Sequence, residues 1–298
     1  MLASLTCALS ACEKDEILPE PEPPVVTPGD DDGPEGDDPG KDEEEKIQLG
    51  ITASLQAMQQ TRGIIEAFLP GHEMGVFISA AGAESPYVHN VPYAFDGKKW
   101  NAGGDAPVED DAEVAAYLPY NGQTAGDRLI PFELADQHDI LYGRASVTRD
   151  IPTADIEMRH AMSLVRIKIL KNEYMGEGIV SNIRFDNVIT RMTLDIRRET
   201  NSPLIFDFSS RGSLQAGGNY HLNDADPVVV ETILPPVYGY DQKAAVSFTI
   251  DGKEYAYEFH RDHEWEAGMK YTYTLKMTGN YNSCLLYTSD AADDRISV

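Results

Sequence analysis

Ile47–Arg62, IQLGITASLQAMQQTR, is the stretch from which the fold can be read. In its first nine residues Ile47, Leu49, Ile51, Ala53 and Leu55 recur at period two, with Gln48, Gly50, Thr52 and Ser54 between them. That alternation is the pattern of a strand with one face against a core. At its far end Thr61-Arg62-Gly63 is a sequence that a trypsin-like protease can cut. The segment is therefore expected to be a removable first strand with Arg62 as the cleavage residue. The alternative is a permanent strand, with Arg62 an ordinary loop residue.

The same grammar continues downstream. Gly75–Ala80, GVFISA, is a continuous apolar run of the kind found inside a sandwich. Asn90–Phe95 and Lys98–Trp100 flank Asp96-Gly97, a hairpin dipeptide, and Glu113–Tyr120 and Asp139–Ala145 complete the first half. Ser146–Ala154, polar and carrying Pro152, reads as a linker. Beyond it the pattern restarts at Ile156, with strands expected at Ser163–Leu170, Val180–Val188, Arg191–Ile196 and Pro227–Leu234. Ala244–Ile250 and Glu254–His260 flank a second hairpin signal, Asp251-Gly252, and Met269–Met277 alternates strictly. Helical periodicity is almost absent. The expected fold is all-β: two tandem β-sandwich domains, 47–153 and 154–282, each of packed antiparallel sheets.

Upstream lies a segment of a different character. Glu13–Lys46 holds 15 acidic residues against three lysines, a net of −12 out of a formal −26 for the whole chain, with seven prolines and four glycines. Such a segment cannot bury enough apolar surface to offset its ordering entropy, so 13–46 is expected to be a disordered acidic tether. Asp30-Asp31-Asp32 lacks the ligand spacing of a calcium loop. The remaining −14 belongs to a body with no clustered Lys/Arg stripe in its sequence, which argues against nucleic acid as a partner.

Met1–Cys12, MLASLTCALSAC, is apolar or small and ends in Leu9-Ser10-Ala11-Cys12, which resembles the lipobox of bacterial lipoproteins. By that resemblance 1–12 is a signal peptide and the Cys12 thiol is the lipid attachment point. A basic n-region is missing, so Met1 is expected to be an internal methionine of a longer frame. Cys7 leaves with the signal and Cys284 stands alone, so no disulfide is expected. At the other end Cys284–Asp294, CLLYTSDAADD, resembles the translation of a sequencing adapter, and 283–298 is read as a non-native tail outside the fold.

No catalytic constellation emerges. His260, His263 and Glu264 match neither zinc-protease spacing and lack a third ligand, so neither metal nor cofactor is expected. His72 with Glu73, and His138 with Asp139, read as loop polar groups. No serine stands in a G-x-S-x-G turn, and carboxylate pairs are too abundant in so acidic a chain to single one out. The 15 tyrosines mostly alternate with polar residues on strands, where half-buried core aromatics belong. The default role is binding or structural, not enzymatic.

Several segments carry a resemblance. The lipobox, Thr61-Arg62, Gly71-His-Glu-Met-Gly75-Val-Phe-Ile78, Ala116-Tyr-Leu-Pro-Tyr120, Asp139-Ile-Leu-Tyr-Gly143, His160-Ala-Met-Ser163 and Gly268-Met-Lys-Tyr271 occur in that order. Together they resemble the fimbrillin family of surface lipoproteins of anaerobic Gram-negative bacteria, over residues 47–280 or so. The resemblance implies transthyretin-like β-sandwich domains and a structural or adhesive subunit of a cell-surface pilus. It further implies lipid anchoring at Cys12 to the outer membrane and removal of the first strand by a processing protease at Arg62. A strand from another pilin subunit then fills the vacated groove. The alternative is a non-polymerising surface lipoprotein that binds a host or dietary glycan, and a host surface protein or glycan is a further expected partner.

Overall fold

The computed structural model describes residues 46–56, 64–124, 128–197, 202–237, 243–259 and 264–277, and the backbone of 284–289. In chain order the first strands are β1 (Gly50–Leu55), β2 (Glu73–Ala80), β3 (Val88–Phe95), β4 (Trp100–Ala102) and β5 (Ala112–Leu118). They continue as β6 (Leu129–Glu133), β7 (Leu141–Val147), β8 (Thr153–His160), β9 (Ser163–Leu170) and β10 (Ile179–Ile189). Next come β11 (Arg191–Asp195), β12 (Leu204–Phe206), β13 (Arg211–Gln215), β14 (Tyr220–His221) and β15 (Val228–Leu234). The last are β16 (Ala245–Ile250), β17 (Lys253–Glu258), β18 (Lys270–Met277) and β19 (Cys284–Ser289). Two single 3-10 turns, Leu134–Asp136 and Phe208–Ser210, are the helical elements among the described residues.

The protein is an all-β sandwich. One seven-stranded sheet runs β1-β8-β7-β5-β2-β3-β4, and residues of all seven strands enter one core. Met74, Val76 and Ile78 of β2 and Val114, Ala116 and Leu118 of β5 enter that core; Phe77, Ala115 and Tyr117 leave on the other face and are buried too. This two-sided burial is why GVFISA reads as a continuous apolar run. The outer face joins a second core shared with three further sheets, β12-β11-β6, β15-β9-β18-β19 and β13-β10-β16-β17, with β14 paired to β10. Gly75 permits the close packing on that face: a Cβ there would lie 2.2 Å from the Tyr117 ring, which is buried with its hydroxyl 2.9 Å from Asn90 Oδ1.

Three features differ from the sequence expectation. Pairing is not purely antiparallel: β1 runs parallel to β8, and β18 parallel to β9. Both pairs join segments about a hundred residues apart, so the long crossover that a parallel pair needs is present. Second, β8 lies beyond the expected boundary at 153 and yet completes the first sheet, pairing with β7 and β1. Third, Cys284–Ser289, read as outside the fold, pairs antiparallel with β18 from Met277↔Cys284 to Thr272↔Ser289. An unpaired sheet edge is a template for any extended segment of adequate β-propensity, and CLLYTS supplies one. Residues 13–46, expected to form the tether, lie outside the described residues but for Lys46.

Candidate functional site

The site is the seat of β1. Leu49 and Ile51 are buried, at 4% and 6% exposure, Ile47, Ala53 and Leu55 are half-buried, and Gln48, Thr52 and Ser54 face solvent. The sequence pattern therefore places this strand's two faces correctly. On one side the backbone follows β8 in unbroken parallel register from Gly50↔Thr153 to Leu55↔Met158. Gly50 N–H donates to Pro152 O at 2.8 Å and Gln56 N–H to Met158 O at 2.9 Å, closing the ladder at both ends.

Among the described residues, the other side is held along its first residues. Leu49 N–H donates to Ala106 O at 2.9 Å, Val108 N–H donates to Ile47 O at 2.8 Å, and Ala106 N–H reaches Gln48 Oε1 at 2.9 Å. Buried Tyr93 donates its hydroxyl to Leu49 O at 3.0 Å. Burial pushes the Tyr93 phenol up to about 12, so it stays a donor throughout the neutral range. Thr52 Oγ1 donates to the Asp155 carboxylate at 3.0 Å on the exposed face.

Gly143 fixes β8 beneath β1. A Cβ on Gly143 would lie 2.5 Å from Ile156 Cγ2 and 2.7 Å from the Glu157 carbonyl, so only glycine lets β8 lie this close to β7. With β8 so placed, Ala154, Ile156 and Met158 face the core and Thr153, Asp155, Glu157 and Arg159 face out, a strict alternation that matches β1 residue for residue.

The chain resumes firmly after the strand. Ile65 N–H donates to Asp139 Oδ2 at 2.9 Å, and that carboxylate meets His160 Nδ1 at 2.9 and 3.0 Å; both side chains are buried. Phe68 packs edge-on against Trp100, with ring centres 5.1 Å apart, and against Phe95 at 6.1 Å. Asp139 is thus a buried anchor and not the loop polar group expected from its place beside His138, which is itself exposed. The two partners of the anchor stand 21 residues apart, and nothing local signals the pairing. His72 fits the expectation of a loop residue, its Nδ1 accepting from Leu69 N–H at 3.3 Å.

Of the residues singled out from sequence, Ile47, Leu49, Ile51, Ala53 and Leu55 come together in this seat. Cys12 and Arg62 lie outside the described residues, as do His260 and His263. Among the described residues no group of three His, Cys, Asp or Glu side chains could hold a metal ion.

Comparison with known proteins gives a consistent likeness. A family model described as fimbrillin-like matches residues 61–290. No curated protein matches the chain. Among solved structures, a cell adhesion protein from Bacteroides uniformis superposes with a TM-score of 0.61 at 15% identity, covering 82% of this chain and 98% of that one. A second, from Bacteroides ovatus, also gives 0.61, at 14% identity over 83% of this chain and 97% of that one. At such identities these two establish a shared fold.

Proposed function

Because the chain belongs to the fimbrillin-like family, we propose that it is a subunit of a cell-surface pilus whose first strand is removed so that another subunit's strand can replace it. In this reading Cys12 carries the lipid that holds the precursor at the outer membrane, and an arginine-specific protease cuts after Arg62. The β1 segment leaves, and the partners are other pilin subunits. The role is structural and adhesive.

The observation that carries the reading is how β1 is seated. Its ladder partner is a single strand, β8, whereas the chain from Ile64 onward is independently pinned by Asp139 and by the aromatic contacts of Phe68. The family match also begins at residue 61, leaving β1 outside it. Loss of β1 would bare Ala154, Ile156 and Met158 along a six-residue parallel edge, and would forfeit the burial of Leu49 and Ile51. Fully burying such a side chain contributes roughly 1.5–3 kcal/mol. An open edge over an apolar groove is a seat that an incoming strand fills with main-chain hydrogen bonds and alternate side chains. Repeated head to tail, this contact does not close on itself, and a filament results.

Treatment of the folded chain with an arginine-specific protease tests this. The expected result is a single cut at Arg62, loss of the N-terminal segment and conversion to oligomers, with Arg62→Ala blocking all three. A body that loses the segment and stays monomeric would count against a pilus subunit, and glycan binding by that monomer would favour the non-polymerising alternative.

A further inference from the structure

The β15-β9-β18-β19 sheet turns Ile167, Val230 and Leu275 toward the core; on its other face Leu164 and Ile233 are buried as well, and Arg166, Lys168, Lys270 and Lys276 are half-buried. Those half-buried positions have an unusual charge. β9, β15 and β18 together hold Arg166, Lys168, Lys270 and Lys276 against one carboxylate, Glu231, in a chain whose formal charge is −26. Glu231 is shared: Arg166 pairs with it and Lys270 Nζ stands 3.5 Å away. Burial first, and then the Arg166 guanidinium, lower the proton affinity of the Lys270 amine. The same chain carries the complementary surface. From Asn101 to Asp127 there is no Lys or Arg, and Asp105, Glu109, Asp110 and Asp111 are exposed between β4 and β5. That connection is the one whose Ala106 carbonyl and Val108 amide hold β1, so the acidic residues rim the strand seat.

We infer that the basic face of this sheet docks on the acidic β4–β5 rim of a second copy of the chain, orienting each subunit over the strand seat of the next. This deepens the assembly reading above and rests on it. Face and rim are different surfaces of one molecule, so the contact is heterologous and propagates as strand exchange requires. Complementary charge of this kind governs encounter rate and register more than final affinity.

Two charge-reversed forms of the full chain provide the test. One carries Lys168→Glu and Lys276→Glu; the other carries Glu109→Lys, Asp110→Lys and Asp111→Lys. All the substituted rim residues are exposed, and thermal unfolding before cleavage verifies that each form is folded. After cleavage by an arginine-specific protease, assembly is followed by light scattering at low and high salt. Each variant alone is expected to assemble on the order of 10-fold slower than wild type at low salt or worse, and an equimolar mixture of the two to recover. High salt is expected to slow the wild type. Variants that assemble at the wild-type rate, or a mixture no faster than its components, would overturn the docking inference alone. A cleaved wild type that never assembles would overturn the pilus reading and this inference together.

Discussion

Ile51→Ala is the perturbation that most sharply probes the strand seat. Ile51 is 6% exposed and sits beside Ala154 in the parallel register. Truncating a buried isoleucine costs about 2–5 kcal/mol, and an edge strand that can relax belongs near the low end, about 2–3 kcal/mol. In the intact chain this lowers stability. Once the chain is cut at Arg62 the same loss falls on the noncovalent hold of the freed segment. At ~1.4 kcal/mol per tenfold, release should quicken roughly 30- to 140-fold. Thr52→Ala, on the exposed face of the same strand, removes a solvent-facing bond to Asp155 and a longer one, 3.4 Å, to Ala154 O, and should alter release by less than about 3-fold. Size-exclusion chromatography with mass spectrometry of the freed segment, sampled over time after the cut, measures both. Ile51→Ala releasing no faster than Thr52→Ala would refute the seat as the determinant of strand retention.

Three other outcomes follow from the same geometry. Tyr93→Phe deletes the buried donor to Leu49 O and should speed release of the cut segment by on the order of 10-fold, read in the same assay. Asp139→Ala leaves His160 and the Ile65 amide without their shared acceptor. It should cost about 1–3 kcal/mol in urea unfolding and raise hydrogen exchange at Ile65. At Asp186, burial pushes the carboxyl up, but bonds from Ser213 and Ser247 at 2.6 Å each and the Arg184 guanidinium outweigh it and hold the group below its ordinary 3.8. A depressed carboxylate stabilises the fold fully above its unfolded value and loses that contribution as pH falls through the folded one. The urea midpoint should therefore drop below about pH 4, and Asp186→Asn should blunt the drop.

What the sequence makes legible is whatever burial writes into a single strand. The alternation of Ile47 to Leu55 survives as a two-faced strand, and Asp251-Gly252 turns between β16 and β17 with both residues at positive φ. The continuous run of β2 marks a strand covered on both faces. Strand direction is not a local property, so the parallel partners of β1 and β9 leave no trace in composition. β6 hides behind Pro131, which argues against a strand. β8 shows in the sequence only as a restart at Ile156, because Asp155, Glu157 and Arg159 separate its few apolar residues, though that separation is the half-buried pattern itself. The basic face is invisible in sequence for a related reason. Its cations occupy alternate positions of two strands a hundred residues apart, and only the β9–β18 pairing gathers them.

The most direct test of strand replacement is hydrogen exchange along β8, residues Thr153–Met158, in the intact chain, in the cleaved monomer and in the assembled state. The backbone of this strand pairs with β1, so replacement predicts protection, then loss of protection once the segment leaves, then protection regained in oligomers. Protection that stays unchanged through cleavage, segment loss and assembly would contradict it.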